Sequence, residues 1–296
     1  MKIGVDAMPL HLGRIGGITT LIVVCMFYPF LPGSYDGLAV ALSAMAQLFG
    51  VAGLLLVPIG VLWLAYELTK RARRKRNLPH IERAYYFALA SIIAFSIVAV
   101  AISLGAFASI GLTFGFGTSA LLAYIVSRLI PKLKLLKNAE PENLNPAPLY
   151  LTFIPIAVLV LQVMFAAPAT EFSRNYAIAR TAELINEIEG YRIANGHYPK
   201  SLLAEHQDYE PSVIGIKQYY YEPSGNAYNL FFEQPTFLLT NPGTREFVMY
   251  NKLDEQTMIA HDSDILRWTP EQLAQRRGWY AVHDAPSPHW KYFWLD

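Results

Sequence analysis

LYLTFIPIAVLVLQVMFAAPATEFSRNYAIARTAELINEIEGYRIANGHYPKSL, residues 149–202, changes from apolar to amphipathic character without a break. Its apolar part, Leu149–Ala167, is close to the length of about 20 residues that a helix needs to cross a bilayer. Beyond Pro168, apolar or small residues recur at the spacing of one helical face, at positions 177, 181, 184, 188 and 191. The stretch therefore predicts a membrane helix that continues into an amphipathic helix.

The end of this amphipathic helix is also visible in the sequence. Gly196, after Asn195, suits the left-handed backbone position that commonly ends a helix. Tyr198 precedes Pro199, and a residue before proline is pushed toward extended backbone. We therefore expect a helix C-terminus followed by an extended exit loop.

The composition divides the chain into two parts. Of its 296 residues, 53% are hydrophobic and only 16% are charged, whereas globular domains carry about 25%. Residues 1–168 hold 13 of the 24 Lys/Arg and 6 of the 23 Asp/Glu, so residues 169–296 are net acidic. This predicts a membrane region followed by a soluble domain. Near-neutral total charge and an acidic soluble part argue against a nucleic-acid partner. Cys25 is the single cysteine, so no intramolecular disulfide is expected.

Five apolar segments predict five transmembrane helices. They run approximately over Ile15–Leu31, Leu38–Leu64, Tyr85–Ile110, Leu112–Ile130 and Leu149–Ala167. The first is short and contains Pro29, but no small-residue cleavage site follows it, so we interpret it as a retained anchor rather than a signal peptide. The third and fourth are close enough in sequence to form a helical hairpin.

The loops between these segments predict the orientation. The loop between the second and third segments carries a run of basic residues within positions 70–76, and Arg83 follows this run. The loop after the fourth segment carries Arg128 and three lysines, whereas loops 32–37 and 105–111 have no basic residue. The positive-inside rule then places the N-terminus in the cytoplasm and residues 169–296 outside. The basic run is interpreted as a topogenic anchor against anionic lipid. It consists of Lys70, Arg71, Arg73, Arg74, Lys75 and Arg76.

Leu149–Leu202 resembles the N-terminal half of type IV pilins and type II secretion pseudopilins. The shared elements are the apolar run, Pro168, Tyr191 and the Gly-x-Tyr-Pro sequence GHYP. The region before Leu149 lacks the processing site and assembly glutamate of those families, and four more apolar segments precede it. The resemblance implies a pilin-like domain that stays in the membrane and is not a filament subunit.

We therefore expect an α-helical membrane protein with a C-terminal α+β pilin-like domain, in which the long helix packs on an antiparallel sheet. Residues 1–147 would form a four-helix membrane region, and residues 148–296 the fifth helix and the outer domain. Two β-rich runs flank Pro223–Asn226, which predicts a hairpin. A second pair is predicted with its turn near Asp254, a short helix in TPEQLAQRRG, and a final strand in HWKYFWLD.

The tail offers two kinds of candidate site. His-Asp pairs can bind a metal or orient a general base, and the candidates are His261, Asp264 and His283. No catalytic motif accompanies them, so we interpret them as ordinary surface or turn residues and expect no enzyme, cofactor or metal site. Core and bilayer-interface roles would account for most of the abundant aromatic residues, and a remaining cluster is the candidate surface for an envelope protein, or alternatively a glycan or peptide. The residues chosen as probes of that surface are Tyr198, Tyr221 and Trp290.

Two functions follow as hypotheses. The first is a non-enzymatic protein of a bacterial inner membrane whose periplasmic domain binds a partner or assists envelope or secretion-type assembly. The alternative is a membrane conduit or transporter whose outer domain acts as a gate or substrate receptor. No Asp, Glu, Lys, Arg or His lies in the middle of a predicted span, which argues against ion-coupled transport.

Overall fold

A computed structural model describes residues 8–76, 83–109, 111–138, 145–202, 210–240, 244–256 and 282–295. These residues form seven α-helices, two short 3₁₀ turns and one five-stranded sheet. The helices are α1 Met8–Phe27, α2 Gly37–Ala52, α3 Val57–Lys75, α4 Ala84–Ser109, α5 Leu112–Asn138, α6 Ala147–Arg180 and α7 Ala182–Asn195. The strands are β1 Tyr220–Ser224, β2 Ala227–Gln234, β3 Arg245–Tyr250, β4 Val282–Asp284 and β5 Trp290–Leu295.

The chain forms two compact units. The first, called the membrane unit, comprises Met1–Met26 and Ala41–Met164, and the second, called the outer unit, comprises Phe27–Val40 and Phe165–Asp296. In this stretch the two units divide between Met164 and Phe165, inside α6, and the division into residues 1–147 and 148–296 stays a prediction. The loop between α1 and α2 belongs to the outer unit, which the hydropathy pattern did not indicate.

Four helical stretches are long and apolar enough to cross a membrane. They are Met8–Phe30, Gly37–Lys75, Ala84–Phe107 and Ala147–Asn195. Gly115–Pro131, the apolar part of α5, is a shorter helix than these four. The length and composition of the helices therefore support membrane association, while the count of five crossings stays a prediction.

Three glycines bring α2 and α3 against α6. A Cβ atom added at Gly50 would lie 3.0 Å from Val158 Cγ1, and one at Gly53 would lie 3.3 Å from Pro155 Cβ. Further along, a Cβ atom at Gly60 would lie only 2.5 Å from Thr152 Oγ1. From Gly50 to Gly60 the residue numbers increase, while those of their neighbours in α6 decrease from Val158 to Thr152. The stretch α2–α3 therefore runs antiparallel to α6. Small residues at a contact between helices let the two backbones approach closely. We call Gly50, Gly53 and Gly60 the glycine seam.

Helix α5 packs chiefly on α4, and it also contacts α2 and α3 at single points. Near its start, Thr118 Oγ1 lies 3.6 Å from Met45 Sδ in α2. Near its end, Leu133 packs with Trp63 of α3 and Ala88 of α4. The expected hairpin of α4 and α5 is present, since only two residues separate the helices. The rings of Phe107 and Phe116 then meet edge to face at 5.1 Å.

The sheet of the outer unit has the strand order β1-β2-β3-β5-β4, and its neighbouring strands are antiparallel. The hairpin predicted at Pro223–Asn226 is confirmed as β1–β2, with Gly225 in the left-handed region at φ 55°. The final strand is confirmed as β5. The second predicted hairpin is wrong in its pairing, because β3 is bonded on one side to β2 and on the other to β5. The predicted helix TPEQLAQRRG lies outside the described residues.

One face of the sheet packs on the helices. Ala177, Ile178, Leu184 and Ile188 from α6 and α7 form one core with alternate sheet residues. The sheet members of that core include Tyr228, Leu230, Phe232, Val248, Tyr250 and Trp290. The predicted helix end is confirmed, since Gly196 is left-handed at φ 78° and its N–H donates to Arg192 O. Burying alternate residues of each strand against an amphipathic helix explains why both periodicities appear in the sequence.

Candidate functional site

The loop between α1 and α2 is bonded to the outer unit as an extra extended segment. Pro32 forms an antiparallel bridge with Val213. The Gly33 N–H donates to Ser212 O at 2.9 Å, and the Ile214 N–H donates to Leu31 O at 3.0 Å. We call residues 29–36 with residues 212–216 the clasp. Through the clasp, the loop that joins α1 to α2 becomes part of the outer unit, together with the C-terminal part of the chain.

Side chains reinforce the clasp. The rings of Phe30 and Phe237 stack at a centroid distance of 4.4 Å with an interplanar angle of 5°. Phe30 and Phe237 are 2% and 1% exposed, so this contact belongs to the interior of the outer unit. A Cβ atom at Gly215 would lie 2.7 Å from Pro29 O, so the two backbones touch. Sequence reasoning missed the clasp; the aromatic and proline content of YPFLPGSY was its only local signal.

Tyr198 of the Gly-x-Tyr-Pro turn is a core residue. It is 6% exposed, and its ring packs edge to face on Tyr228 at 5.0 Å. Arg192 Nη1 donates to the Tyr198 hydroxyl at 2.7 Å, and the hydroxyl lies 3.3 Å from Glu189 Oε1. Glu189 also accepts from Lys252 Nζ at 2.9 Å, and this hydrogen bond raises the pKa of Lys252. The turn thus fastens the end of α7 to the sheet.

The structure places the three predicted partner-binding residues differently. Trp290 is 4% exposed and packs between Phe232 and Tyr250, so its ring and that of Tyr198 are unavailable to a partner. Tyr221 is half-buried on β1, with its hydroxyl donating to Pro199 O at 2.9 Å. This is a correction to the predicted surface, because burial in the core accounts for two of its three rings. Partner binding itself stays a prediction.

One of the two edge strands of the described sheet, β1, carries the accessible part of that surface. Among the described strands, β1 has a single neighbour, β2. Tyr220, Tyr221 and Glu222 on β1 are half-buried, and Ser224 is exposed. Pro223 lies in this edge strand, where it lacks an N–H and disfavours the addition of another strand. A partner at this edge would therefore contact side chains more than backbone.

The metal candidates are not brought together in the described part of the chain. His261 and Asp264 lie outside the described residues. His283 on β4 stacks on the ring of Tyr292 at 5.1 Å, and desolvation, followed by the charge of Arg174, lowers its pKa. Across the residues that the structure describes, no group of three His, Cys, Asp or Glu side chains could hold a metal ion.

A buried ion pair that sequence reasoning missed lies on the other side of Tyr292. Arg174 Nη2 lies 2.6 Å from Glu246 Oε1, and their side chains are 8% and 2% exposed. The Arg174 guanidinium also lies 3.6 Å from the centroid of the Tyr292 ring. Burial raises the pKa of Glu246, and Arg174 partly opposes that effect. The signal in the sequence was the alternation of Glu246 with Val248 and Tyr250, which places a carboxylate on the core face of β3.

The basic run lies mostly in helix rather than in a loop. Lys70 to Lys75 belong to the last turns of α3, and Arg76 follows it. Lys70 is 5% exposed, with its Nζ atom 5.8 Å from the Tyr66 ring centroid, whereas Arg71, Lys75 and Arg76 are exposed. Basic residues in the last turn interact favourably with the negative end of the helix dipole and with an anionic lipid surface.

Comparison with models of known families, with curated proteins and with solved structures finds no match to this chain.

Proposed function

We propose that this chain is a non-enzymatic integral membrane protein that crosses the bilayer five times and displays a pilin-like domain for partner binding in envelope or secretion-type assembly. The observation that carries the proposal is the clasp. Because residues 29–36 and 212–216 are joined by backbone hydrogen bonds, the segments before α2 and after α6 share one side of the membrane. The chain between them must therefore cross an even number of times.

The parity argument supports a crossing by α5. The stretch Gly37–Lys75, the helix α4 and the helix α6 account for three crossings. A fourth is needed, and α5 supports it by touching α2 at Met45 near its start and packing with Trp63 of α3 near its end. With α1 the total is five. The positive-inside rule then supports a cytoplasmic position for the basic run and an extracytoplasmic, periplasmic position for the outer unit.

The packing of α6 supports a permanent anchor over a filament subunit. Val158 and Gln162 of α6 are 0% and 1% exposed, and the glycine seam holds this helix against α2 and α3. A filament subunit has to withdraw its apolar helix from the membrane. Withdrawal of α6 would expose this seam, so release is unfavourable. The pilin-like packing of helix on sheet would then serve display.

Photo-crosslinking in cells tests the proposal. A photoreactive residue is placed singly at Tyr220 or Ser224 on the edge strand β1, and as a matched control at Glu183, an exposed position on α7. We expect one discrete envelope-protein adduct from the β1 probes and none from Glu183. Correctly inserted protein that forms no adduct at either β1 position would overturn partner binding at this edge.

A further inference from the structure

The membrane unit contains a cavity among α3, α4, α5 and α6. Its volume is about 630 Å³, and it is partly open to the surface. Pockets that bind small molecules typically measure about 300–1,000 Å³, so this space is large enough for a ligand. The walls are formed chiefly by apolar side chains such as Ala88, Ile92, Phe95, Leu133 and Leu151.

Each polar side chain of the wall makes a hydrogen bond within the protein. Trp63 Nε1 donates to Glu67 Oε1 at 3.2 Å, and Ser91 Oγ donates to Phe87 O at 2.8 Å. Asn145 Oδ1 accepts from the Ala147 N–H at 3.0 Å. The Tyr150 hydroxyl lies 2.9 Å from His11 Nδ1. With these bonds already made, the cavity has little to offer a polar guest and suits a hydrocarbon.

Positive charge lies at the same end of the membrane unit. The Arg83 backbone N–H donates to the Tyr66 hydroxyl at 3.0 Å, the Tyr66 ring meets Phe87 at 5.5 Å, and Phe87 stacks on Trp63 at 6.1 Å. The backbone at Arg83 is thus linked by two aromatic contacts to Trp63 in the cavity wall. Arg83, Arg71 and Arg76 are exposed at this end. Basic residues beside a pocket between membrane helices favour anionic lipid headgroups.

We propose that this cavity binds one acyl chain of an anionic membrane phospholipid, whose headgroup lies against the basic end of α3 and the start of α4. The apolar wall accepts the chain, and the arginines attract the phosphate. A free fatty acid offers the same hydrocarbon but comes from a different source, and the experiment separates the two.

Trp63 serves as the reporter, because it lines the cavity and is only 2% exposed. The full chain is reconstituted in vesicles whose dibromostearoyl chains are carried by phosphatidylglycerol or, at equal mole fraction, by phosphatidylcholine. The emission of a Trp63→Phe variant is subtracted to isolate the Trp63 signal. We expect loss of the larger part of this signal, with stronger loss for phosphatidylglycerol.

Variants that fill the cavity with a larger side chain test whether the acyl chain reaches Trp63 through the cavity. Ala88→Phe and Ala147→Phe each add a ring to its wall from a different helix, and Ala101→Phe adds the same ring at an exposed site on α4. We expect the first two to restore Trp63 emission and the third to leave the quenching unchanged. Equal quenching in all variants, or none in the unmodified chain, would overturn the proposal. Quenching by added dibromostearic acid alone would overturn the phospholipid source, and equal quenching by both lipids would overturn the anionic preference.

Discussion

Gly33 and Ser212 are 179 positions apart in the sequence, yet the Gly33 N–H donates to Ser212 O at 2.9 Å. This bond and its neighbour from Ile214 to Leu31 flank the bridge between Pro32 and Val213. A pair flanked in this way is a non-hydrogen-bonded pair of an antiparallel ladder, in which the side chains approach most closely. The clasp therefore offers a direct test of topology.

A disulfide should form between cysteines placed at Pro32 and Val213 in a Cys25→Ser background. The Cα atoms of such a pair lie about 4.5 Å apart, within the range that a disulfide accepts. A protease site is inserted between residues 77 and 82, and the cleaved protein is run on non-reducing and reducing gels. We expect the two fragments to stay joined until reduction. The matched pair Pro32→Cys with Lys217→Cys should separate without reductant, and separation of the clasp pair would contradict the five-crossing topology.

Glu246→Gln should lower the free energy of unfolding of the outer unit by about 3 kcal/mol, because it leaves the Arg174 charge buried without its partner. Replacing both residues, as Arg174→Met with Glu246→Leu, should recover most of that loss. Chemical denaturation followed by tyrosine fluorescence compares the wild type, Glu246→Gln, the double variant and its two component single variants, Arg174→Met and Glu246→Leu. If the double variant is as unstable as the sum of the two single ones, the ion pair is not the source of the effect.

Acidification should destabilise the outer unit through His283. Its pKa is lowered in the folded state, so below about pH 6.5 the unfolded chain binds the proton more readily than the folded chain does. This contribution to stability is present at pH 7 and is lost as the pH falls through that range. Comparing the melting temperatures of wild type and His283→Gln between pH 7 and pH 5 separates the contribution of His283 from that of Glu246. A steeper loss in His283→Gln than in wild type would reverse the assigned sign.

Gly60→Ala should destabilise the membrane unit by about 1–3 kcal/mol, because the new Cβ atom would lie 2.5 Å from Thr152 Oγ1 and 3.0 Å from Leu151 Cβ. Gly117→Ala on α5 is the matched control, since nothing lies within 4 Å of its added Cβ atom. Unfolding in mixed detergent, followed by the emission of Trp63, compares the two. Equal effects of both substitutions would mean that the glycine seam does not hold α3 to α6.

Gln162→Leu should raise the free energy of unfolding by about 1 kcal/mol. Gln162 is 1% exposed, and neither amide atom has a partner in the part of the chain that the structure describes. Removing an unsatisfied buried amide while keeping its volume recovers its desolvation cost. The same denaturation in detergent measures the change. A loss of stability instead would contradict this prediction and show that the Gln162 amide makes a favourable polar interaction in the folded protein.

Local rules were sufficient where neighbours in sequence decide the structure. The end of α7 at Gly196 follows from the left-handed preference of glycine, and the β1–β2 hairpin follows from Pro223–Asn226 between two β-rich runs. The second hairpin failed because the partner of a strand depends on the whole sheet. The pattern around β3 cannot tell that β5, some 40 residues later, takes its second edge.

The apolar helices, the charge division between the two parts of the chain, and the amphipathic helix that leads into the sheet were all predictable from the amino-acid pattern. They depend on composition and on periods of two or 3.6 residues, which a single segment contains. Three features became visible only in the folded chain: residues 29–36 belong to the outer unit, Arg174 meets Glu246, and the rings of Tyr198 and Trp290 lie in the core. Each of these contacts joins residues far apart in the chain, and its stability comes from burial that neither segment achieves alone.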